Sequence, residues 1–323
     1  MSASSNSLVH VVVGAGAVGS GTALRLAELG HRVRVVTRSG NGPDHPSVEL
    51  IAADATDGPE MARIAHGAHA VFNGANPPYS KWADLWPPIQ NGLIEACETT
   101  GARLVTMGNL YAYAADGSPM HATDSLDAPT RKGTIRQAMW EQALEAHRAG
   151  RIQTTEVRAS DFFGPGIGES GHLGDRFVPR LLAGKGAVVV GRPDQAHSWS
   201  YIADVHDTLV AVALDDRSLG RAWHVPTVEP RSSQQMADLI CDRAGADRKK
   251  IRGLPTLGLR LAGVLSADLR EVVEMVYQFD RPFVIDATET TDVFGVAATP
   301  LDQQLDETIA SYRAIAPVAA AVV

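Results

Sequence analysis

Gly14-Ala15-Gly16-Ala17-Val18-Gly19 follows the apolar run Val11-Val12-Val13 and opens a segment in which Val18, Thr22, Leu26 and Leu29 recur at helical spacing. Three glycines so spaced between a strand and a helix restrict what the chain can fold into, because such a turn passes backbone close to a pyrophosphate. Gly14 allows the tight turn, Gly16 admits phosphates to the backbone, and Gly19 lets the helix lie close on the sheet. The helix start adds unpaired N–H groups and the positive end of the helix dipole. Gly30 closes the helix where a left-handed residue is expected, and the strand-like run Arg32 to Thr37 follows. Strand, turn, helix and strand thus fit within about 30 residues, the length of one βαβ unit.

β-Branched runs alternate with helical patterns along the chain: Leu8 to Val13, Arg32 to Thr37, Val48 to Ala52, His69 to Phe72, Arg103 to Met107 and Thr154 to Arg158. The alternation predicts an α/β protein with a Rossmann doubly wound parallel sheet. After Gly164-Pro165 the texture changes to a glycine-rich loop, Gly164 to Gly174, with a further strand candidate from Ala222 to Val225. A dinucleotide-binding core is therefore expected over residues 1–165. A smaller mixed part, mainly substrate-binding, is expected over 166–323, with segments returning to the core.

The chain has 323 residues, 45% of them hydrophobic, and can bury a full core. Its net charge of -8 offers no basic field to nucleic acid. Cys97 and Cys241 belong to no metal-binding pattern or disulfide framework, so a reduced cytoplasm is expected and a metal is not. Met1 to Ser7 lacks the charged start and apolar run of a signal peptide. The apolar end, Ala314 to Val323, is broken by Pro317 and falls short of the roughly 20 residues of a bilayer span. A monomer or homodimer taking a small molecule, without nucleic acid or membrane, is the expected state.

Proteins that prefer NAD place an acidic residue at the end of the second strand, where it holds the ribose hydroxyls. Here that place is Thr37, followed by Arg38 and Ser39. An arginine can pair with a 2′-phosphate and stack on adenine, so NADP(H) is expected, with NAD(H) as the alternative. Asp54, with Ala55 beside it past the third strand, suits either the adenine amino group or a helix cap.

The glycine turn, Asp54, Asn73-Gly74-Ala75, Val105-Thr106-Met107 and the segment Arg158 to Pro165 together resemble the extended short-chain dehydrogenases/reductases, of the NAD-dependent epimerase/dehydratase kind. Tyr201-Ile202-Ala203-Asp204-Val205 and Arg281 to Asp286 extend the likeness over almost the whole chain. The resemblance implies a cofactor site formed by Gly14, Gly16, Ala17, Val18, Gly19, Thr37, Arg38, Ser39, Asp54, Ala55, Asn73, Ala75, Met107 and Arg136. It also exposes departures. Met107 stands in the place of the family's catalytic serine, and a thioether cannot donate to a carbonyl. Lys132-Gly133-Thr134-Ile135-Arg136 stands in the place of the tyrosine and lysine, so Lys132 replaces the family's acid and Arg136 its ribose-binding lysine. Lys132 could donate a proton if desolvation and Arg136 lowered its pKa; otherwise both are cations at a helix start. Tyr111 matches a family position that is usually structural, which favours packing for it.

Sugar-nucleotide relatives carry an arginine four residues before the tyrosine matching Tyr201, where it grips the diphosphate; here His197 stands there. An imidazole is a poor substitute for a bidentate clamp. Asn109, Tyr113, Asp161, Phe162, His197 and Trp199 are the candidate substrate contacts, with Tyr79 and Trp82 as further lining, and they suit a flat aromatic molecule. The missing catalysts resemble the atypical ketoreductases that tailor angucyclinone polyketides, whose phenols lie beside the carbonyl and can supply the proton. The alternatives are a sugar-nucleotide epimerase or dehydratase, and an inactive protein that senses NADP.

Overall fold

The computed structural model describes residues 7–168, 171–254, 271 and 273–315. The tail readings therefore lie outside the described residues for 1–6 and 316–323, as does 255–270 of the expected substrate part. In chain order the strands are β1 (Val9–Val13), β2 (Arg32–Thr37), β3 (Val48–Ala52), β4 (Ala70–Asn73), β5 (Arg103–Asn109), β6 (Thr154–Ala159), β7 (Phe162–Phe163), β8 (Val188–Val190), β9 (Ser200–Tyr201), β10 (Ala222–His224) and β11 (Arg252–Leu254). The described α-helices are α1 (Ala17–Glu28), α2 (Gly58–Ala65), α3 (Trp82–Thr100), α4 (Arg131–Arg148), α5 (Val178–Leu182), α6 (Ile202–Leu214), α7 (Ser233–Ala244), α8 (Thr288–Phe294) and α9 (Leu301–Ile315).

Seven strands form one parallel sheet in the order β10-β6-β5-β4-β1-β2-β3. Its inner strands are short and largely buried on both faces, as a parallel sheet covered by helices requires, while the edge strand β3 is mostly exposed. Successive residues of β1 serve opposite layers: Val11 and Val13 pack with Met61 of α2, Leu93 of α3 and Ala143 of α4, whereas Val12 packs with Leu26 of α1 and Leu209 of α6. Burying each such side chain stabilises the sandwich by about 1.5–3 kcal/mol. β5 runs two residues beyond the expected Met107, because the backbones of Gly108 and Asn109 continue the ladder against Arg158 and Ala159.

The strand order reverses between β1 and β4, which opens a crevice at the C-terminal ends of the strands. The later chain returns to this layer. β10 pairs with β6, and α6 packs on α1, where the His206 ring lies so close to Gly21 that an added Cβ would stand 1.9 Å from it. Apart from α8, which packs on β10, the remaining later elements gather around a separate core of Phe163, Phe177, Trp199, Ile240 and Leu305, beside the two-strand pairs β7-β9 and β8-β11. Among the described residues no helix is long and apolar enough to cross a membrane.

Candidate functional site

The glycine turn leaves β1 at the crevice. Gly14 has φ +95°, and a Cβ there would meet the Gly74 carbonyl oxygen at 2.7 Å. At Gly19 a Cβ would lie 2.0 Å from the Gly14 oxygen, so this residue sets how closely α1 approaches the turn. Gly16 is different: nothing stands within 4 Å of its Cβ position. It is the N-cap of α1 with no side-chain cap and no acidic residue in the first turn. The first-turn amides are therefore left to an incoming anion. Open space at Gly16, with both neighbouring glycines sterically required, fits a dinucleotide pyrophosphate.

Around the turn lies a cavity of about 710 Å³, within the range of small-molecule sites. Of the residues expected from sequence, it brings together Gly16, Ala17, Val18, Ala75, Met107, Asn109, Arg136, Asp161 and Phe162. Asn73, at the end of β4, accepts from the Ala75 amide at 3.3 Å and leaves its buried Nδ2 without a partner. Thr37 ends β2 and is followed by Arg38 and Ser39, none of which lines the cavity. Arg38 is exposed and close enough to Asp54 to favour its ionised form, although the main cause of that carboxyl's lowered pKa is the Thr56 amide. Ala55 packs against the core below. The capping role considered for Asp54 falls to Asp57, whose side chain accepts from the Glu60 amide at the start of α2.

Arg136 enters the cavity from α4 and is only 9% exposed. Its guanidinium lies 4.2 Å from the Trp86 ring and 4.9 Å from the Trp82 ring, reaches the Met107 carbonyl at 3.4 Å, and keeps a buried Nε without a partner. Burial lowers its pKa, opposed by Glu156 and the two nearby tyrosines. Those tyrosines, Tyr79 and Tyr111, join hydroxyl to hydroxyl at 2.6 Å in the cavity wall. Burial raises both pKa values, that of Tyr111 well above the ordinary phenol range. Across the cavity Asp161 accepts from His197 Nε2 at 2.9 Å, and Ser160 Oγ lies 3.3 Å from the same nitrogen. Burial pushes the Asp161 carboxyl up, but His197 and His172 hold it below its ordinary value.

Four expected residues stand elsewhere. Lys132 is buried beneath the wall, where its ammonium binds the Glu271 carboxylate, the Glu271 carbonyl at 3.2 Å and Glu274 at 2.6 Å. Three acceptors occupy its three N–H groups, so it has none to offer a substrate. Tyr113 is 2% exposed and pairs with Arg158 and His224 under the sheet. Trp199 is buried, donating to the Arg231 carbonyl at 2.8 Å and packing on His197. His197 stands behind the wall and reaches the cavity through Asp161 and Ser160.

The model for the NAD dependent epimerase/dehydratase family matches residues 10–225. The chain belongs to that family. No match is found among the curated proteins. Among solved structures, an epimerase from Methanothermobacter thermautotrophicus superposes with TM-score 0.77 at 16% identity, over 95% of this chain and 93% of that one. A UDP-glucose 4-epimerase from Thermotoga maritima gives 0.77 at 18% identity over 95% and 99%. The dTDP-glucose 4,6-dehydratase DesIV from Streptomyces venezuelae, with NAD bound, gives 0.75 at 16% over 95% and 98%. At these identities they establish the fold.

Sequence reasoning gave Tyr111 a packing role; its ring does stack on Trp82, and the residue also lines the cavity. It also missed the tryptophan bracket around Arg136. The available signal was the aromatic series Tyr79, Trp82 and Trp86 at and before the start of α3, of which Tyr79 and Trp82 line the cavity.

Proposed function

We propose that the chain is an NADPH-dependent ketoreductase acting on a hydroxylated aromatic ketone of the angucyclinone polyketide type. The observation that carries this reading is the Asp161–His197 pair. Where sugar-nucleotide relatives hold an arginine, His197 spends Nε2 on Asp161, and Asp161 lines the cavity. A diphosphate would meet repulsion there in place of a clamp. The rest of the wall is aromatic: Tyr79, Trp82, Tyr111, Phe162 and Phe283 suit flat rings, and Asn109, Ser160 and Asp161 suit their hydroxyls.

A bound nicotinamide would supply a hydride. The amides at Gly16, Ala17 and Val18 would hold the pyrophosphate, Arg38 with Thr37 and Ser39 the 2′-phosphate, and Asn73, Ala75, Met107 and Arg136 the nicotinamide half. Met107 contributes no proton and keeps the wall apolar, while Arg136 supplies fixed positive charge beside the reacting region.

Purified protein incubated with NADPH or NADH and a panel of peri-hydroxy aromatic ketones should oxidise NADPH preferentially. UDP-glucose and dTDP-glucose serve as counter-substrates. Turnover of either sugar nucleotide with retained NAD would replace this reading by epimerisation or dehydration. Tight NADPH binding without oxidation by any ketone would replace it by a sensor.

A further inference from the structure

The family's serine and tyrosine are absent, and Lys132 has no free N–H, yet the cavity wall contains two other phenols. We propose that the hydrogen-bonded pair Tyr79–Tyr111 is the acid that protonates the oxygen of the reduced carbonyl. This rests on the ketoreductase reading and deepens it.

The pair comes from two elements that meet at the reactive end of the crevice. Tyr111 follows β5, its amide held by Asn109 Oδ1 at 3.1 Å, and its ring stacks on Trp82. Tyr79 lies on the loop between β4 and α3, with its ring edge-on to Trp82 at 4.9 Å. Both rings are fixed, and the hydroxyls share one hydrogen bond of 2.6 Å. Two O–H groups that share one bond leave one O–H free, and both residues line the cavity. Met107, in the serine's place, and Asn109 border the same space.

The surrounding charges suit a donor. The Arg136 guanidinium lies 4.9 Å from the Trp82 ring centroid and acts on Tyr79 in the sense that lowers its pKa. Asp161 and Glu274 act in the opposite sense on Tyr79, and Asp161 and Tyr277 on Tyr111. Burial keeps both phenols protonated through neutral pH, the state an acid requires. An alkoxide is a stronger base than a phenolate, so proton transfer from a buried tyrosine remains downhill.

The carbonyl carbon gains the hydride, the C=O π bond opens onto oxygen, and that oxygen takes the proton of the free phenol. The resulting phenolate accepts the O–H of its partner tyrosine, and the positive charge of Arg136 opposes its formation cost. Solvent restores the proton after product leaves. With both phenols protonated at neutral pH, little phenolate is present to take a proton from an alcohol, so the reverse oxidation should need a higher pH than the reduction.

Tyr79→Phe, Tyr111→Phe and the double variant remove only hydroxyls. Two measurements test the proposal: turnover of a peri-hydroxy ketone with NADPH, and ultraviolet titration of phenolate with and without NADP⁺, with calorimetry confirming that each variant binds the cofactor. The double variant should lose about 10²- to 10⁴-fold in kcat with NADPH affinity kept. In wild type the cationic nicotinamide of NADP⁺ should bring phenolate formation to lower pH, and the double variant should lack that shift. A double variant with undiminished kcat overturns the proposal and assigns the proton to the substrate's own phenol. A titration that NADP⁺ leaves unchanged in wild type, or shifts equally in the double variant, overturns it whatever the turnover, and so does absence of NADP⁺ binding. A wild-type shift lost in the double variant, without reduction of any ketone, keeps the pair at the nicotinamide and removes only the ketone reading.

Discussion

One part of the cavity wall is the glycine turn, with Gly16, Ala17 and Val18; another is formed by Tyr79, Tyr111, Arg136 and Asp161. The two parts answer to different constraints. Backbone recognition of a phosphate needs only a turn shape, and steric contacts at 2.0–2.7 Å make glycine obligatory at Gly14 and Gly19. Side-chain chemistry leaves the scaffold intact when it changes. Met107, Lys132 and Arg136 therefore stand where the resemblance places the family's serine, tyrosine and lysine, while the family fold is kept.

The strongest test of this contrast is Lys132, which the family pattern places in catalysis and the structure places in an ion cluster. Lys132→Met leaves the Glu271 and Glu274 carboxylates without their cation. Because the ammonium is buried and the carboxylates are partly exposed, the loss of stability should fall near the lower end of the 3–5 kcal/mol expected for a broken buried pair. Urea unfolding measures it. The fraction that stays folded should keep its kcat, and a stable but inactive variant would return Lys132 to the chemistry.

The glycine turn can be divided residue by residue. Gly19→Ala should cost about 1–3 kcal/mol of stability, because its Cβ would meet backbone that cannot yield. Gly16→Ala should leave the melting temperature unchanged, since its Cβ enters open space, but should weaken NADPH binding by occupying phosphate volume. Equal melting of the two variants would contradict the division of labour between those glycines.

Legibility followed the same divide. β1 to β6 could be read because runs such as Val11-Val12-Val13 must be buried on both faces, and the glycine turn because steric need fixes its residue type. The β5 extension through Gly108 and Asn109 could not, since ladder bonds there compensate for residues of low strand propensity. Within the site, Met107, Asn109, Arg136, Asp161 and Phe162 were legible as residues near the C-terminal ends of strands or on a helix facing them. The burial of Lys132, Tyr113 and Trp199 was not, because the groups that enclose them, Glu271 and Glu274, His224, and Arg231, are distant in sequence. Tyr79 and Tyr111 show the converse: a pair formed by a loop and a strand end is invisible to any local pattern.

The strand that carries the glycine turn begins with a different liability. His10 on β1 is fully buried, neither ring nitrogen has a partner, and His31 and His69 pack on it edge to face. Burial first, then those two imidazoles, pulls its pKa down to about 3. The folded value lies below the unfolded 6.5, so its contribution is complete above pH 6.5 and is lost as pH falls toward 3. At pH 5 the loss from this residue is about 2 kcal/mol. His172 and His224, both pulled to about 4, add to the acid sensitivity of the wild type. Relative to wild type, His10→Leu should recover about 2 kcal/mol between pH 7 and pH 5, read as the difference between urea curves. An identical acid loss in both proteins would locate the sensitivity outside β1.

The smallest expected effect lies where the glycine turn and the side-chain wall share one ligand. Arg38 is exposed at the end of β2 and forms no hydrogen bond or ion pair among the described residues, so its guanidinium is available to a 2′-phosphate. Charge-assisted hydrogen bonds contribute about 1.5–3 kcal/mol, and solvent screening at an exposed site favours the lower figure. Arg38→Ala should therefore weaken NADPH about tenfold and leave NADH unchanged, and the difference should shrink as salt is added. Calorimetric titration of both cofactors with both proteins separates the possibilities. Equal loss for NADPH and NADH would mean that Arg38 stacks on adenine without reading the phosphate. No loss for either would leave it a solvated residue of a strand that also carries Arg32 and Arg34, and the preference for NADP would have to come from the Thr37 and Ser39 hydroxyls.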